Sequence, residues 1–107
     1  MDVPEIGIEE LDEAWSSGSF ILDVREPDEV DSARLSGATT IALMDVPVRL
    51  ADIPTDQAVY VICARGGRSM KAAGFLRARG IDAVNVAGGM VAWRESGRPV
   101  ESGPTTG

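Results

Sequence analysis

The only cysteine of the chain, Cys63, stands where an apolar segment runs into a glycine-rich loop. Its surroundings, from Val59 to Gly74, read VYVICARGGRSMKAAG. A lone cysteine at the end of an apolar strand is usually an inert core residue. The alternative is a nucleophile, which requires surroundings that favour the thiolate over the thiol. The residues that follow Cys63 bear on this choice.

Two glycines and the start of a helix come directly after Cys63. Gly66 and Gly67 allow the backbone to take positive φ angles and to turn its N–H groups inward, forming a nest for an anion. The helix expected to start at Arg68–Ser69 adds N–H donors without partners and the positive end of a helix dipole. A loop of this composition favours a negative charge on the sulfur.

Cations in the same loop act in the same direction. Arg65 and Arg68 carry permanent charges within a few residues of the sulfur, and Lys71 lies one turn further along. The chain has no histidine, so Cys-His and Ser-His pairs are excluded and the local field is the only route of activation. We therefore interpret Cys63 as catalytic, with a pKa below the value of about 8.5 for an unperturbed thiol.

Composition and charge narrow the classes of function. Of the 107 residues, 44% are hydrophobic and 25% charged, as in an ordinary globular protein. The net charge of −7 repels phosphate groups, so neither nucleic acid nor an anionic membrane is an expected partner. One cysteine and no histidine exclude an internal disulfide and zinc sites built on imidazole or paired thiolates, so no metal is expected.

The two ends of the chain predict its compartment and the limits of its domain. The N-terminus, MDVPEIGIEELDE, is acidic and lacks the layout of a signal peptide. No apolar run approaches the roughly 20 residues that cross a bilayer, so a cytoplasmic protein is expected. Residues 1–99 are predicted to form one domain, and residues 100–107, VESGPTTG, a disordered tail.

Apolar segments alternate with amphipathic segments along the chain. Strands are predicted at FILDV (20–24), ATTIAL (38–43), AVYVIC (58–63) and DAVNVA (82–87). Helices are predicted at IEELDEAWSSG (8–18), in a short stretch from Pro27, and at DVPVRLADI (45–53), RSMKAAGFLRARG (68–80) and GMVAWRESG (89–97). Such alternation is typical of an α/β fold whose parallel sheet is covered on both faces. Ligands of such sheets bind where strands turn into helices, which is where Cys63 lies.

The spacing of cysteine and arginine bears on which anion the loop binds. Four residues separate Cys63 from Arg68, whereas cysteine phosphatases have one residue more. The shorter ring encloses less space and suits a single sulfur better than the oxygens of a phosphate. No aspartate is marked by the sequence as a general acid. A phosphatase or an arsenate reductase is therefore disfavoured.

Three segments of the chain resemble the single-domain rhodaneses, which are thiosulfate sulfurtransferase-like domains. They are ILDVREPDEV…SGATTIAL, VYVICARGGRSMKAAGFLRARG and VNVAGGMVAW, in the family's order, between Phe20 and Trp93. The central segment is the most specific, because it joins the six-residue loop Cys63–Arg68 to Ser69. The resemblance implies a three-layer α/β fold with a mainly parallel sheet of about five strands and helices on both faces.

The resemblance also implies a sulfur-transfer cycle that needs no metal and no organic cofactor. Cys63 would attack the outer sulfur of thiosulfate or a similar donor, release sulfite and keep a persulfide. Arg65 and Arg68 would bind the sulfonate oxygens of the donor, which suits the geometry of a guanidinium group. The predicted substrate-binding residues, whose backbone N–H groups would cradle the persulfide, are Ala64, Arg65, Gly66, Gly67, Arg68 and Ser69.

Residues of the two other segments are expected to have supporting roles. Asp23 and Arg25, from DVRE, are expected near the loop, either as an ion pair that anchors it or as substrate contacts. Gly88, Gly89 and Trp93 are expected to start a helix and to pack in the core rather than to take part in the chemistry.

The chain departs from the family pattern in one place. After DVRE the family has an aromatic residue and then Gly-His-Ile before a Gly-Ala pair. Here Val30 and then the triplet 33–35, Ala-Arg-Leu, take these positions. The missing histidine leaves the expected fold intact, but the packing of the neighbouring loop and its effect on activity are open. Arg34, inside the triplet, could add to the positive field.

Two functions of different classes are open from the sequence. The first is a catalytic sulfurtransferase that passes sulfur from a small anionic donor to cyanide, a thiol or a protein. The second is a non-catalytic persulfide carrier or regulatory module that docks to a partner. A monomer is the favoured state, and the sequence names neither the donor nor the acceptor.

Overall fold

Five short parallel strands form the centre of the structure, a computed structural model that describes residues 2–104. The strands are β1 Glu5–Ile6, β2 Phe20–Asp23, β3 Thr39–Thr40, β4 Val59–Ile62 and β5 Ala83–Val86. The helices are α1 Ile8–Ser16, α2 Pro27–Ser32, α3 Gly67–Arg77 and α4 Gly89–Glu95. Two 3-10 segments, Leu43–Val48 and Leu50–Asp52, connect β3 to β4. The order across the sheet is β1-β5-β4-β2-β3, so β4, which precedes Cys63, is the central strand.

Both faces of the sheet are buried, which explains why its central strands are apolar at nearly every position. On one face the strands pack against α3 and the first 3-10 segment, in a cluster that includes Leu22, Val46, Val61, Ala73 and Leu76. On the opposite face they pack against α1 and α4, in a cluster that includes Leu11, Ile21, Ile62, Met90 and Trp93. The predicted α/β fold, with a parallel sheet of five strands and helices on both faces, is confirmed.

The segment after α2 differs from its prediction. The strand predicted at 38–43 is only Thr39–Thr40, and one further bond, from the N–H of Ile41 to the carbonyl of Asp23 at 3.0 Å, continues the pairing. The helix predicted at 45–53 consists of the two 3-10 segments instead. Pro47 has no N–H to donate to the fourth carbonyl before it, which disfavours a regular α-helix here.

The helix after Cys63 begins and ends slightly earlier than predicted, at Gly67 and Arg77. Its core face holds Ser69, Ala72, Ala73 and Leu76. Two larger apolar residues of the same helix, Met70 and Phe75, are only half-buried. The buried hydroxyl of Ser69 therefore takes a place on this face that an apolar side chain would otherwise fill.

The C-terminal segment lies against the domain at residues 101–103. Arg34 and Glu101 exchange two backbone hydrogen bonds of 2.9 Å, and the N–H of Gly103 donates to the carbonyl of Asp31 at 2.8 Å. The tail predicted to be disordered from residue 100 thus differs here, and residues 105–107 lie outside the described residues. The domain limit at residue 99 stays a prediction.

Candidate active site

Cys63 lies directly after β4, at the carboxyl edge of the sheet, and is only 1% exposed. Its Sγ is 3.2 Å from the Oγ of Ser69 and accepts a hydrogen bond of 3.1 Å from the backbone N–H of Gly66. Ser69 is fully buried in the first turn of α3, so the helix fixes the position of its hydroxyl. The sulfur is held by donors from its own loop.

These contacts set the direction in which the pKa of Cys63 moves. Burial by itself raises the pKa, because a buried charge loses its hydration. The hydroxyl of Ser69 and the backbone N–H groups of Ser69, Gly66 and Arg65 together outweigh burial, so the pKa of the thiol lies below its ordinary value. The predicted lowering is therefore present, but hydrogen bonds cause it to a greater extent than the guanidinium charges that the sequence pointed to.

Of the two loop glycines, only Gly66 has the backbone conformation that requires glycine. Its φ is +109°, it caps the N-terminus of α3, and a Cβ there would lie 3.5 Å from the backbone nitrogen of Gly88. Gly67 is the first residue of α3, has no positive φ, and has open space where a Cβ would be. The nest predicted to need both glycines is thus formed by a single left-handed residue.

The N-terminus of α4 fixes the start of the loop from the other side. The N–H of Met90 donates to the carbonyl of Cys63 at 2.9 Å, and the N–H of Val91 donates to the carbonyl of Ala64 at 3.0 Å. Gly89, with φ +55°, approaches the loop so closely that a Cβ would clash with both of these carbonyl oxygens. The predicted role of Gly89 at a helix start is confirmed, and the close approach explains why no larger residue fits.

Asn85 supports the loop from beneath and is fully buried at the end of β5. Its Nδ2 donates to the Oε2 of Glu5 at 2.8 Å and, with a longer contact of 3.4 Å, to the carbonyl of Gly66. Gly66, whose N–H donates to the sulfur, is thus itself held by the side chain of Asn85 from β5, the strand beside β4.

Arg68 is paired with a residue that the sequence analysis did not select. Its two terminal nitrogens donate to the two carboxylate oxygens of Glu29, in α2, at 2.7 Å each. The hydrogen bonds from Arg68 lower the pKa of Glu29 to about 2, and the same contact raises the pKa of Arg68. Arg68 was predicted to bind donor oxygens, but two of its N–H groups are already used.

Arg65 and Lys71 are the cations of this region whose charges are free. Both side chains are exposed, and neither forms an ion pair or hydrogen bond within residues 2–104. Arg34, which the sequence suggested as a further source of positive field, instead pairs with Glu101 at 3.4 Å and donates to the carbonyl of Gly103 at 2.7 Å. The charge of Arg34 is therefore paired with the C-terminal segment and is not directed at Cys63.

Asp23 and Arg25 form a buried ion pair at the end of β2. The Nη2 of Arg25 lies 2.8 Å from the Oδ2 of Asp23, and the two residues are 5% and 1% exposed. Arg25 also donates to the carbonyls of Glu29 at 3.1 Å and Ala33 at 2.6 Å. Of the two predicted roles, the geometry fits the anchoring ion pair, because a substrate has no exposed surface to contact.

Within the described part of the chain, no group of three or more acidic, cysteine or histidine residues could hold a metal ion. Among the same residues, none of the helices has the length and apolar character of a membrane span.

The features that sequence reasoning missed are contacts between distant segments. Glu29 stands 39 positions from Arg68, and Asn85 stands 19 positions from Gly66. The signal for Glu29 was its place in the short helix that starts at Pro27, because α2 follows β2 and so lies at the same edge as the loop. A polar residue inside the apolar strand DAVNVA was the signal for Asn85, since a buried amide needs a partner.

Comparison with known proteins agrees with this geometry. The family model described as Rhodanese-like domain matches residues 7–96. The sulfurtransferase of Allochromatium vinosum is 32% identical over 101 residues, with 92% of this chain and 94% of the relative covered. YtwF of Bacillus subtilis, provisionally named a sulfurtransferase, is 33% identical over 101 residues, with 92% and 98% covered.

Solved structures give the same result. A rhodanese-related protein of Thermoplasma volcanium superposes with a TM-score of 0.86 at 33% identity, covering 92% of this chain and 97% of its own. A rhodanese-like domain protein of Staphylococcus aureus has a TM-score of 0.84 at 34% identity, with 94% and 98% covered. The domain and the names of these relatives support a sulfurtransferase in general terms. The chain belongs to the rhodanese-like domain family.

Proposed function

We propose that this chain moves a sulfane sulfur from thiosulfate, or a similar anionic donor, to cyanide or a thiol through a persulfide on Cys63. The observation that carries the proposal is the ring of hydrogen bonds around the Sγ of Cys63, from Ser69 and Gly66. These donors lower the pKa of the thiol, so more thiolate is present at neutral pH than at an ordinary cysteine.

In the first half-reaction, the Cys63 thiolate attacks the outer sulfur of thiosulfate. The S–S bond of the donor breaks, its electron pair leaves on sulfite, and a persulfide anion remains on Cys63. In the second, the acceptor attacks the terminal sulfur of this persulfide and the Cys63 thiolate leaves. No electrons are gained or lost overall, so the proposal includes no oxidant, metal or organic cofactor.

The same hydrogen bonds serve both half-reactions, because they stabilise the thiolate that attacks and the thiolate that leaves. The backbone N–H groups from Ala64 to Ser69 are the proposed donors to the terminal sulfur of the persulfide, and the N–H of Gly66 already contacts Sγ at 3.1 Å. Preorganised donors of this kind stabilise developing charge without a reorganisation cost.

The two arginines are proposed to have different roles toward the donor. Arg65 is exposed and unpaired within residues 2–104, so it is the principal candidate for the sulfonate oxygens. Arg68 is 37% exposed and shares its charge with Glu29, which leaves it as a secondary contact. We expect Arg65→Gln to raise the KM for thiosulfate more than Arg68→Gln does.

The test is the formation of thiocyanate from thiosulfate and cyanide. Cys63→Ser keeps the size of the side chain and is expected to lose essentially all turnover, because no second thiol is present. The control Ser32→Ala changes an exposed hydroxyl at the end of α2 and is expected to leave the rate unchanged. Equal rates for the native chain and Cys63→Ser would sink the proposal.

A second candidate is a persulfide carrier that hands its sulfur to one partner and turns over poorly with small substrates. YrkF of Bacillus subtilis, provisionally named a sulfur carrier protein, is 35% identical over 94 residues, with 85% of this chain and 51% of the relative covered. Full persulfide loading with negligible thiocyanate formation would select it over the first.

The proposal includes a reducing compartment, such as the cytoplasm, because Cys63 must be a free thiolate for the cycle to begin. It also includes a monomer, which sedimentation of the purified chain would test.

A further inference from the structure

The apolar surface beside the active-site loop consists of three residues of the first 3-10 segment, Met44, Pro47 and Val48, with Phe75 and Lys71 from α3; we call it the rim patch. Met44 is 84% exposed and Val48 is 83% exposed. Across residues 2–104, the other exposed large hydrophobic side chain is Val100, at 42%. Met44 and Val48 lie four positions apart in the same 3-10 segment, and exposed apolar patches bordered by polar residues mark interaction surfaces.

The rim patch lies next to Cys63 because of how the 3-10 segment is attached. The N–H of Leu43 donates to the carbonyl of Val24 at 3.1 Å, and the N–H of Val24 donates to the carbonyl of Ile62 at 3.0 Å. Ile62 directly precedes Cys63. Val46, in the middle of the segment, belongs to the same core cluster as Cys63. The patch therefore begins at the edge of the sheet that carries the reactive sulfur.

A shallow cleft lies between the 3-10 segment and α3, the two elements that supply the rim patch. Its volume is about 100 Å³, and it is lined by Leu43, Val46, Pro47, Lys71, Ala72 and Phe75. Sites for small organic ligands are usually about 300–1,000 Å³, so this cleft is too small for one. It has the size to take one aliphatic side chain from another molecule, with Met44 adapting its shape around it.

The charge around the patch indicates which partner fits. The chain has a net charge of −7, yet Lys71 on the patch and Arg65 on the neighbouring loop have no counter-charge within residues 2–104. Asp45 is the acidic residue of the 3-10 segment, so the local balance is positive by one charge. The net charge of −7 is spread over the whole surface and is screened beyond about 8 Å at physiological salt. The two cations nearest the patch therefore attract an acidic segment of another protein that contacts them directly.

We propose that the rim patch docks the protein that accepts the sulfur. The acceptor segment carries a thiol, an aliphatic side chain that enters the cleft, and acidic residues that face Lys71 and Arg65. This inference rests on the proposed function and names the acceptor of the same site. A small thiol offers no apolar surface to Met44 and Val48, so the patch would be without use if the acceptor were small.

The transfer step is balanced within this complex. The acceptor thiolate attacks the terminal sulfur of the Cys63 persulfide, and a new S–S bond forms on the acceptor. The S–S bond at Cys63 breaks, and its electron pair stays on the Cys63 sulfur as a thiolate. The acceptor leaves as a persulfide, and no further reactant is consumed.

The test compares three sulfur acceptors: two synthetic peptides and cyanide. Each peptide has one cysteine flanked by leucines, and the peptides differ in carrying either glutamates or lysines. The native chain, loaded with sulfur, is expected to transfer it faster to the glutamate peptide than to the lysine peptide. The double variant Met44→Ser/Val48→Ser is expected to lower kcat/KM for the glutamate peptide about tenfold, which corresponds to about 1.4 kcal/mol of lost contact. Its rate with cyanide stays unchanged, as does every rate of the control Val100→Ser.

A binding measurement separates this inference from the proposed function. Fluorescence anisotropy with a labelled glutamate peptide whose cysteine is replaced by serine reports docking without any sulfur chemistry. Two results would support the docking surface, whatever the rate of thiocyanate formation. The double variant Met44→Ser/Val48→Ser should bind the glutamate peptide more weakly, and Lys71→Glu should shift the preference toward the lysine peptide. Equal binding by both peptides, or a loss in the double variant that extends equally to cyanide, overturns it. Self-association of the native chain through Met44 and Val48 would also overturn it.

Discussion

The carboxylate of Glu29, in α2, and the guanidinium of Arg68, where the loop that follows Cys63 enters α3, form two hydrogen bonds of 2.7 Å. The helix that carries Glu29 is in turn attached to β2, because Arg25 donates to the backbone carbonyl of Glu29 at 3.1 Å. Arg25 is held by Asp23. The position of the reactive loop thus depends on a line of contacts that starts at the end of the neighbouring strand.

Glu29→Gln is expected to weaken sulfur transfer, because Arg68 loses its charged partner and the loop loses one of its attachments. The pair is about one-third exposed on each side, so the loss of unfolding free energy is small, about 1 kcal/mol at most. The measurement is kcat/KM for thiosulfate together with urea unfolding. Asp28→Asn, an exposed acid in the same first turn of α2, is the matched control for the effect on the helix dipole.

The same pair has a pH signature. The pKa of Glu29 falls from its ordinary value of 4.5 to about 2 in the folded protein, because Arg68 donates hydrogen bonds to its carboxylate. A lowered pKa stabilises the fold fully above pH 4.5, and this stabilisation is lost as the pH falls through 2. The difference in unfolding free energy between the native chain and Glu29→Gln should therefore shrink as the pH falls from 4.5 toward 2. A difference that stays constant over this range would show that the carboxylate charge is unimportant.

Ser69→Ala is expected to raise the pKa of Cys63, since the hydroxyl contact of 3.2 Å is lost while the burial that opposes the charge remains. The rate of alkylation by iodoacetamide against pH measures this pKa. In the native chain the midpoint should lie below the ordinary value of about 8.5, and in the variant it should move upward. Ser32→Ala, at an exposed position, should leave the midpoint in place. An unchanged midpoint in Ser69→Ala would show that the Ser69 hydroxyl does not lower the pKa of Cys63.

Gly89→Ala is expected to disrupt the loop, because its Cβ would clash with the carbonyl oxygens of Cys63 and Ala64. Gly97→Ala is the matched control, since Gly97 also has a positive φ, +78°, but open space around its Cβ position. The left-handed backbone alone costs about 1–2 kcal/mol, so Gly97→Ala should lose that much stability and keep its activity. Gly89→Ala should lose more stability and most of its activity. If Gly89→Ala and Gly97→Ala lost the same stability and the same activity, the close approach of Gly89 to the carbonyls of Cys63 and Ala64 would be contradicted.

Asp23→Asn is expected to destabilise the fold strongly, by about 3–5 kcal/mol, because it leaves the buried charge of Arg25 without its partner. Asp52→Asn removes an ion pair with Arg49 in which both side chains are about half exposed, so its effect should be about 1 kcal/mol or less. Thermal unfolding of both variants measures the contrast. If the two cost the same, the pair at the end of β2 does not have the anchoring role that its burial implies.

Local features of the site could be predicted from the sequence. Cys63, Gly66 and Ser69 fall within seven consecutive positions, so the strand, the turn and the helix start define their arrangement without reference to the rest of the chain. The central strand and α3 were predicted for the same reason, because their apolar patterns reflect burial on a sheet and on one helix face.

Contacts between distant segments could not be predicted in this way. Glu29 is one of 17 acidic residues, and nothing in its neighbourhood distinguishes the one that meets Arg68. The bond between Asn85 and Gly66 and the attachment of Glu101 to Arg34 depend equally on the assembled fold. The exposed Met44 and Val48 read as core residues in a sequence, since an apolar side chain gives no sign of which face it occupies.

The mass of the intact protein after incubation with thiosulfate shows whether Cys63 carries the transferred sulfur. We expect the native chain to gain one sulfur atom and cyanide to remove it, and we expect Cys63→Ser to gain none. A native chain whose mass stays unchanged, or a Cys63→Ser chain that gains the same sulfur, would contradict the assignment of Cys63 as the residue that carries it.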